Sequence, residues 1–240
     1  MDSSDLPPQK VFPLEPVAVF AGREKMTSDT SYSLRYWAHL HLTRRIYHSM
    51  GVMLVHEFDE VHWRLVYDAM HNVPDMFGIW ACKQVNDIAP TNYNQSVYNR
   101  SHDPLCPSCG EEDETCAHIL FCDEAGRVDN LLRSLELVNR WLMEVGTDPS
   151  LRRCIMEFAR NRSGMSMIEI TRAWGPRFSR LAASQDTIGW RRFMEGMISK
   201  EWVKLQAEHY TIHGGRYDPN SWAKQFSFGS LQFSFRERGQ

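Results

Sequence analysis

Apolar side chains recur at steps of three and four residues along most of the chain, which is the spacing of amphipathic helices. The clearest run predicts a helix that ends at Gly146, through Val128, Leu131, Leu132, Leu135, Val138, Leu142 and Val145. Weaker runs predict helices over about residues 31–49, 59–73, 74–85 and 151–159, and a long one from Asp186 or Thr187 to Gly214. Strand-like alternation is limited to Phe226–Phe235. The pattern therefore predicts a mainly α-helical protein.

Changes in composition predict four segments. Residues 1–30 are rich in proline, serine and charge, and we expect a mobile N-terminal tail. Residues 31–147 are expected to form a helical module, residues 148–215 a basic helical region, and residues 216–240 a C-terminal tail.

Composition narrows the class of protein. Hydrophobic residues make up 42% of the 240 residues and aromatic residues 12%, enough for a real core. No apolar run reaches the length of about 18 residues that a membrane span needs. The acidic, polar start Met1–Asp5 does not resemble a secretory signal. We therefore expect an intracellular protein, in the nucleus or cytoplasm, whose six cysteines are thiols or metal ligands.

Four potential metal ligands fall within 17 residues: Cys106, Cys109, His118 and Cys122. The C-x2-C pair can form a tight knuckle, with Gly110 supplying the positive φ that often follows it. His118 and Cys122 are four residues apart, so a helix would place them on one face. Three thiolates and one imidazole suit tetrahedral Zn²⁺ and leave no open position for a substrate. The spacing predicts a small structural zinc site.

Other cysteines and histidines compete with this assignment. Cys116 lies two residues before His118, and a continuous helix would turn it away from the site. We expect Cys116 to be a packed or spare thiol. The alternative is that Cys116 is itself a metal ligand. His102 is a weaker alternative ligand, and Cys82 and Cys154 fall in helical patterns and are expected to be packed.

The segment from Cys106 to Cys122 resembles the zinc-binding domain found downstream of non-LTR retrotransposon reverse transcriptases. It shares with that family a Cys-Pro-x-Cys knuckle, a Glu-Thr before the histidine, an apolar pair after it and a final cysteine. Ile79-Trp80-Ala-Cys82-Lys83-Gln and Pro90-Thr91-Asn92 match its upstream part, so the resemblance covers about residues 58–145. It implies a zinc-stabilised module, carried by a short transposon-derived reading frame, that helps a retroelement protein engage RNA or target DNA.

The charge distribution bears on where nucleic acid could bind. Residues 105–148 carry a net charge of −7, including the run Glu111–Glu114, whereas residues 149–240 carry +7. Because phosphate avoids an acidic surface, the basic half is the better candidate. Its candidate contacts are Arg152, Arg153, Arg191, Arg192, Lys200 and Lys204, interleaved with Trp174, Trp190 and Trp202, which could stack on bases. Two alternatives account equally for these basic residues. The arginines could be solvated side chains on helices whose other face packs in the core, or the basic half could dock onto the acidic middle of the same chain.

No catalytic residue is predicted, because the chain has no nucleophile elbow, phosphate-binding loop, HExxH zinc motif or paired-aspartate polymerase motif. We accordingly expect a non-enzyme with no small-molecule substrate and no membrane partner. The first hypothesis is a zinc-binding module that associates with nucleic acid. The alternatives are a protein-interaction or scaffold module with a purely structural zinc, and a decayed retroelement product.

Overall fold

The computed structural model describes residues 19–21, 24–26, 29–214 and 218–226. By its internal contacts the chain separates into two compact units, Met1–Ile46 and Tyr47–Gln240. The predicted division into four segments remains a prediction. The alternating segment, Phe226 apart, and most of the predicted N-terminal tail lie outside the described residues.

Helices dominate the described residues, which confirms the predicted fold class. The first unit contains a short antiparallel pair, β1 (Val19–Ala21) and β2 (Glu24–Met26), and most of α1 (Thr30–Ser49). The second unit contains α2 (Val55–Glu60), α3 (Trp63–Met70), α4 (Asp75–Val85), α5 (Asn92–Tyr98), α6 (Cys116–Phe121), α7 (Ala125–Glu144), α8 (Pro149–Arg160), α9 (Met167–Thr171), α10 (Pro176–Ile188), α11 (Trp190–Met194) and α12 (Lys200–His213).

The apolar spacing that predicts α1 does not mark its buried side. Leu34, Leu42 and Ile46 recur near helical spacing and gave the prediction of this helix, but all three are exposed, and the buried side chains of the helix are Ser33 and Tyr36. Spacing alone cannot show which face of a helix meets a neighbour.

Two predicted helices are interrupted. The run expected from Asp59 breaks after Glu60, where Val61 turns away to form an isolated bridge with Ser199, and α3 starts at Trp63. The long helix expected from Asp186 or Thr187 to Gly214 is divided among the end of α10, α11 and α12, because Gly189 and Gly196 take φ values of 87° and 82°. Such left-handed backbone ends a helix, and the Ser199 side chain then caps the start of α12.

Helices α7 and α8 form as their patterns predict and pack against each other around the main core. Between them the chain turns at Gly146, with φ of 69°, and the carboxylate of Asp148 accepts hydrogen bonds from Ser150 and Leu151 at the start of α8. Pro149 occupies the first position of α8, where a missing N–H costs nothing.

The core is built mainly by helices α7 to α12. Its largest buried side chains include Phe158, Phe193 and Trp202. Residues 219–226 are also helical and place Trp222 and Phe226 in this core, with the Trp222 indole donating to Thr147 Oγ1 at 2.9 Å. No helix within the described ranges has the length and apolar character to cross a bilayer.

Candidate metal centre

The two-cysteine segment folds back on itself as a small hairpin, residues 104–114, which we call the knuckle. Leu105 and Asp113 form an antiparallel bridge, and the N–H of Cys106 donates to the carbonyl of Glu112 at 2.7 Å. Gly110 closes the turn by donating to the carbonyl of Cys106 at 2.8 Å, and its φ is 69°, the positive value expected from the sequence. This turn brings Cys106 and Cys109 to the same side.

The four predicted ligands come together. One sulfur from each cysteine and one imidazole nitrogen of His118 all lie within 4.8 Å of one another. The sulfurs of Cys106 and Cys122 are 3.9 Å apart, and His118 Nε2 is 3.4 Å from the sulfur of Cys109. A tetrahedral zinc ion sets edges of about 3.8 Å between sulfurs and about 3.5 Å between sulfur and nitrogen. The donor set and its spacing therefore fit one metal ion.

Local hydrogen bonds aim His118 at the sulfurs. The Thr115 hydroxyl caps α6 by accepting the N–H of His118 at 3.0 Å. On the far edge of the ring, Nδ1 lies 2.9 Å from a carboxylate oxygen of Glu112. When Nε2 serves as a ligand, Nδ1 carries the proton and donates to this carboxylate, an arrangement that fixes the ring and strengthens the ligand.

Cys122 lies just beyond the end of α6 rather than within the helix. Its N–H still donates to the carbonyl of His118 at 2.7 Å, so the expected separation of one turn is kept. The described geometry thus preserves the His-x3-Cys relation that the spacing predicts.

The thiols of the cluster differ in acidity. Backbone N–H groups of Glu111 and Glu112 that donate to its sulfur lower the pKa of Cys109 to about 6. Burial raises the pKa of Cys122 to about 11. A divalent cation would favour the thiolate at both sulfurs, so metal binding and proton release are linked here.

The remaining thiols lie outside the cluster. Cys116 is buried, and its carbonyl accepts from the Gln84 side chain at 2.7 Å. His102 approaches Asn92 instead, with Nε2 3.2 Å from Oδ1. Cys154 is fully buried as expected, but Cys82 is exposed, so the expectation that it is packed is wrong. Its position in α4 faces solvent because Ala81, Gln84 and Val85 supply the buried side.

The acidic run is a solvated loop only in part. Glu111, Glu112 and Asp113 are exposed, whereas Glu114 is buried. The Glu114 carboxylate accepts the N–H of Asn92 at 2.8 Å, at the start of α5, and its other oxygen lies 3.8 Å from Arg127.

Two arginines outside the predicted metal site attach the ligand-bearing segments to the helical body. Arg162, just after α8, donates to the carbonyls of Cys122 at 2.9 Å and Leu120 at 3.3 Å, and pairs with Asp123 at 2.7 Å. Arg127 in α7 donates to the Ser108 hydroxyl at 2.8 Å, within the knuckle. Because these arginines lie far along the chain from their partners, no local sequence pattern indicates this role.

Four of the candidate nucleic-acid contacts are engaged within the protein. Arg191 pairs with Asp87 and Glu195, and Arg192 pairs with Glu195 and donates to the carbonyls of Val52 and Val85. Lys200 donates to the carbonyl of Asp59, and Lys204 pairs with Glu201.

The other two candidate nucleic-acid contacts, Arg152 and Arg153, form no ion pair among the described residues. Arg152 donates to the side chain of Asn139 at 2.9 Å, and the Arg153 guanidinium lies 5.9 Å from the centre of the Trp174 ring. Trp174 is half-buried, whereas Trp190 and Trp202 are core residues and present no face to a base.

Comparisons of the chain with protein-family models, with curated proteins and with solved structures find no match.

Proposed function

We propose that this protein is a non-catalytic helical module in which Cys106, Cys109, His118 and Cys122 hold a structural zinc ion. The convergence of three sulfurs and one imidazole nitrogen at tetrahedral spacing carries the proposal. Four protein ligands saturate zinc, so the ion would have no position for water or substrate. The thiolate ligands also require a reducing compartment, and we place the protein in the nucleus or cytoplasm.

The relation to the reverse-transcriptase zinc-binding domain is part of this proposal. It is supported by what the motif residues do in the fold. In the Glu-Thr pair, Glu114 accepts the first N–H of α5 and Thr115 caps α6, and the Asn92 side chain donates to the carbonyl of Leu105 at 2.9 Å. The shared residues thus assemble one zinc subdomain rather than lying scattered. A retroelement protein is the partner class that follows from this relation.

The pairing of the basic residues favours a scaffold function for most of the second half. Arg191 and Arg192 converge on the buried carboxylate of Glu195 and reach main-chain carbonyls of residues 52 and 85. Arg191 also pairs with Asp87 of the acidic middle, which supports the alternative that the basic half docks onto that segment. Association with RNA or DNA remains a second candidate function, and Arg152 and Arg153 are its best supports.

Zinc-dependent stability tests the proposal. Metal-free protein is prepared with a chelator under reducing conditions. It should unfold at a markedly lower temperature than the same protein with one equivalent of Zn²⁺, because a ligand that binds only the folded state stabilises that state. Mg²⁺ should not substitute, since it prefers oxygen ligands. Equal unfolding temperatures with zinc and with chelator would refute a structural zinc.

A further inference from the structure

A polar recess of about 280 Å³ lies along α8, from its first residue to its last, on the side where Asn139 of α7 approaches. Arg152, Arg153 and Arg160 line it, together with the side chains of Asn139 and Ser150. Arg153 and Arg152 precede Arg160 by seven and eight residues, or about two helical turns, so the three side chains lie on the same side of α8. Three guanidinium groups are thus collected at one place by the helix itself.

These three cations contrast with their neighbours in the second half of the chain. Arg162, Arg177, Arg180, Arg191, Arg192 and Lys204 each pair with a carboxylate. Within the described ranges, Arg152, Arg153 and Arg160 form no ion pair, and Arg152 is bonded only to a neutral amide. The one acidic side chain of α8, Glu157, lines an adjoining recess together with Glu169, and Arg160 lies between the two recesses without an ion pair to either carboxylate. The positive charge of the three arginines is therefore available to an external anion.

The positive charge comes from the arginines and not from the end of the helix. The N–H groups of Ser150 and Leu151 are already bonded to Asp148 Oδ1, and the other oxygen of that carboxylate faces Arg177 at 2.9 Å. A planar guanidinium offers paired donors that match the oxygens of a phosphate. The half-buried ring of Trp174 lies beside the recess, with its centre 5.9 Å from the guanidinium carbon of Arg153.

We propose that this recess binds phosphate groups of single-stranded nucleic acid, with Arg152, Arg153 and Arg160 as the anion contacts and the Trp174 ring available to one base. Alternating backbone contacts and aromatic faces are the usual means of binding an unpaired strand. The proposal develops the nucleic-acid candidate named above and is independent of the zinc.

Fluorescence anisotropy on the zinc-loaded full-length chain tests it, with labelled 20-mers of deoxythymidine and uridine as probes. The double variant Arg153→Gln/Arg160→Gln should bind about tenfold more weakly than the unaltered protein. The slope of log affinity against log salt should also become shallower by about 1.4, because each neutralised phosphate on a single strand contributes about 0.7 to that slope. Arg180→Gln is the control for loss of an arginine charge, because this exposed side chain lies outside the recess and pairs with Glu201. Bound zinc, measured in parallel, should be the same in all three proteins.

Three results would overturn the proposal. One is absent or salt-independent binding of both oligonucleotides by protein that carries zinc, which would leave the zinc proposal intact. Another is an equal loss of affinity in Arg180→Gln, since this would indicate a diffuse effect of net charge. The last is binding of poly-glutamate of matched charge, or of a single nucleotide, as tightly as the 20-mers, which would show a general anion site rather than one for a strand.

Discussion

At the scale of single residues, the site depends on side chains that do not themselves face the metal position. Glu112 is largely exposed, yet its carboxylate is the one group bonded to His118 Nδ1 in the described structure. It both orients the imidazole and selects the tautomer in which Nε2 is free to bind a metal.

Removing this carboxylate should weaken metal binding without removing a ligand. We expect Glu112→Gln to lower zinc affinity by about tenfold or more, the usual effect of losing a group that orients a ligand. Competition with a chromophoric chelator measures this directly. Glu111→Gln is the matched control, because it removes a neighbouring charge and keeps the N–H that donates to Cys109. Equal losses in both variants would mean that Glu112 acts only through its charge.

Asp148 predicts a pH dependence of stability. Burial opposes its ionisation, but the N–H groups of Leu151 and Ser150 and the Arg177 guanidinium outweigh burial and lower the pKa of its carboxyl. A carboxyl with a lower pKa in the folded chain stabilises the fold above its unfolded value of about 3.9, and this stabilisation is lost as the pH falls through the folded value.

Urea unfolding at a series of pH values should therefore show a stability gap between the unaltered protein and Asp148→Asn above pH 4 that narrows as the medium is acidified. The comparison isolates Asp148 because loss of metal in acid affects both proteins alike. A gap that stays constant from pH 7 to pH 3 would contradict the assignment.

At the scale of elements, Arg162 is one of the two arginines that attach the ligand-bearing segments to the helical body. Arg162 follows the end of α8, adopts a positive φ of 50°, and reaches the carbonyls at the end of α6. The strained backbone position is tolerated because the guanidinium satisfies two carbonyls and one carboxylate at once.

Arg162→Ala should destabilise the fold by about 2 kcal/mol, since charged hydrogen bonds to partly buried carbonyls are lost. Arg172→Ala removes the same charge from an exposed position at the end of α9 and should change the free energy of unfolding little. Chemical denaturation of the zinc-loaded proteins compares the two. A similar small effect in both would show that the Arg162 contacts contribute little.

The elements also show what sequence patterns can predict. Regular runs with a clear end, as in α7 before Gly146, were predicted because local spacing and a helix terminator agree. Short helices such as α5 and α9 escaped prediction, since their bounds depend on caps from Thr91 and Ser166 rather than on an apolar stripe. Gly189 divided a predicted long helix, because the apolar spacing continues across it while the backbone does not.

The metal site shows the same difference between residues placed by local sequence and residues placed by tertiary packing. The four ligands could be predicted because their spacing is local, within one hairpin and one helical turn. The supports at Arg127 and Arg162 could not, since they come from distant helices and depend on tertiary packing. The acidic run Glu111–Glu114 likewise shows no sequence signal that separates its members, yet Glu114 is buried and accepts the N–H of Asn92 at the start of α5.

At the scale of the whole molecule, opposite charges on the two halves of the sequence are used mainly within the fold. Asp87 from the acidic middle meets Arg191, and Asp123 meets Arg162. The buried Glu195 is held between Arg191 and Arg192, whose charges offset the cost of its burial. The net charge of a segment is therefore a poor guide to its external partners, and the unpaired arginines of α8 are the more informative feature.

The most direct test of the account is the metal content of the purified protein by mass spectrometry, for the unaltered chain, Cys109→Ser and Cys82→Ser. Cys82→Ser is the control because it removes an exposed thiol outside the cluster. We expect one zinc per chain in the unaltered protein and in Cys82→Ser. In Cys109→Ser we expect loss of stoichiometric zinc and of much of the helical circular dichroism. An unaltered chain without zinc, or a Cys109→Ser chain that keeps both its zinc and its helices, would contradict the account.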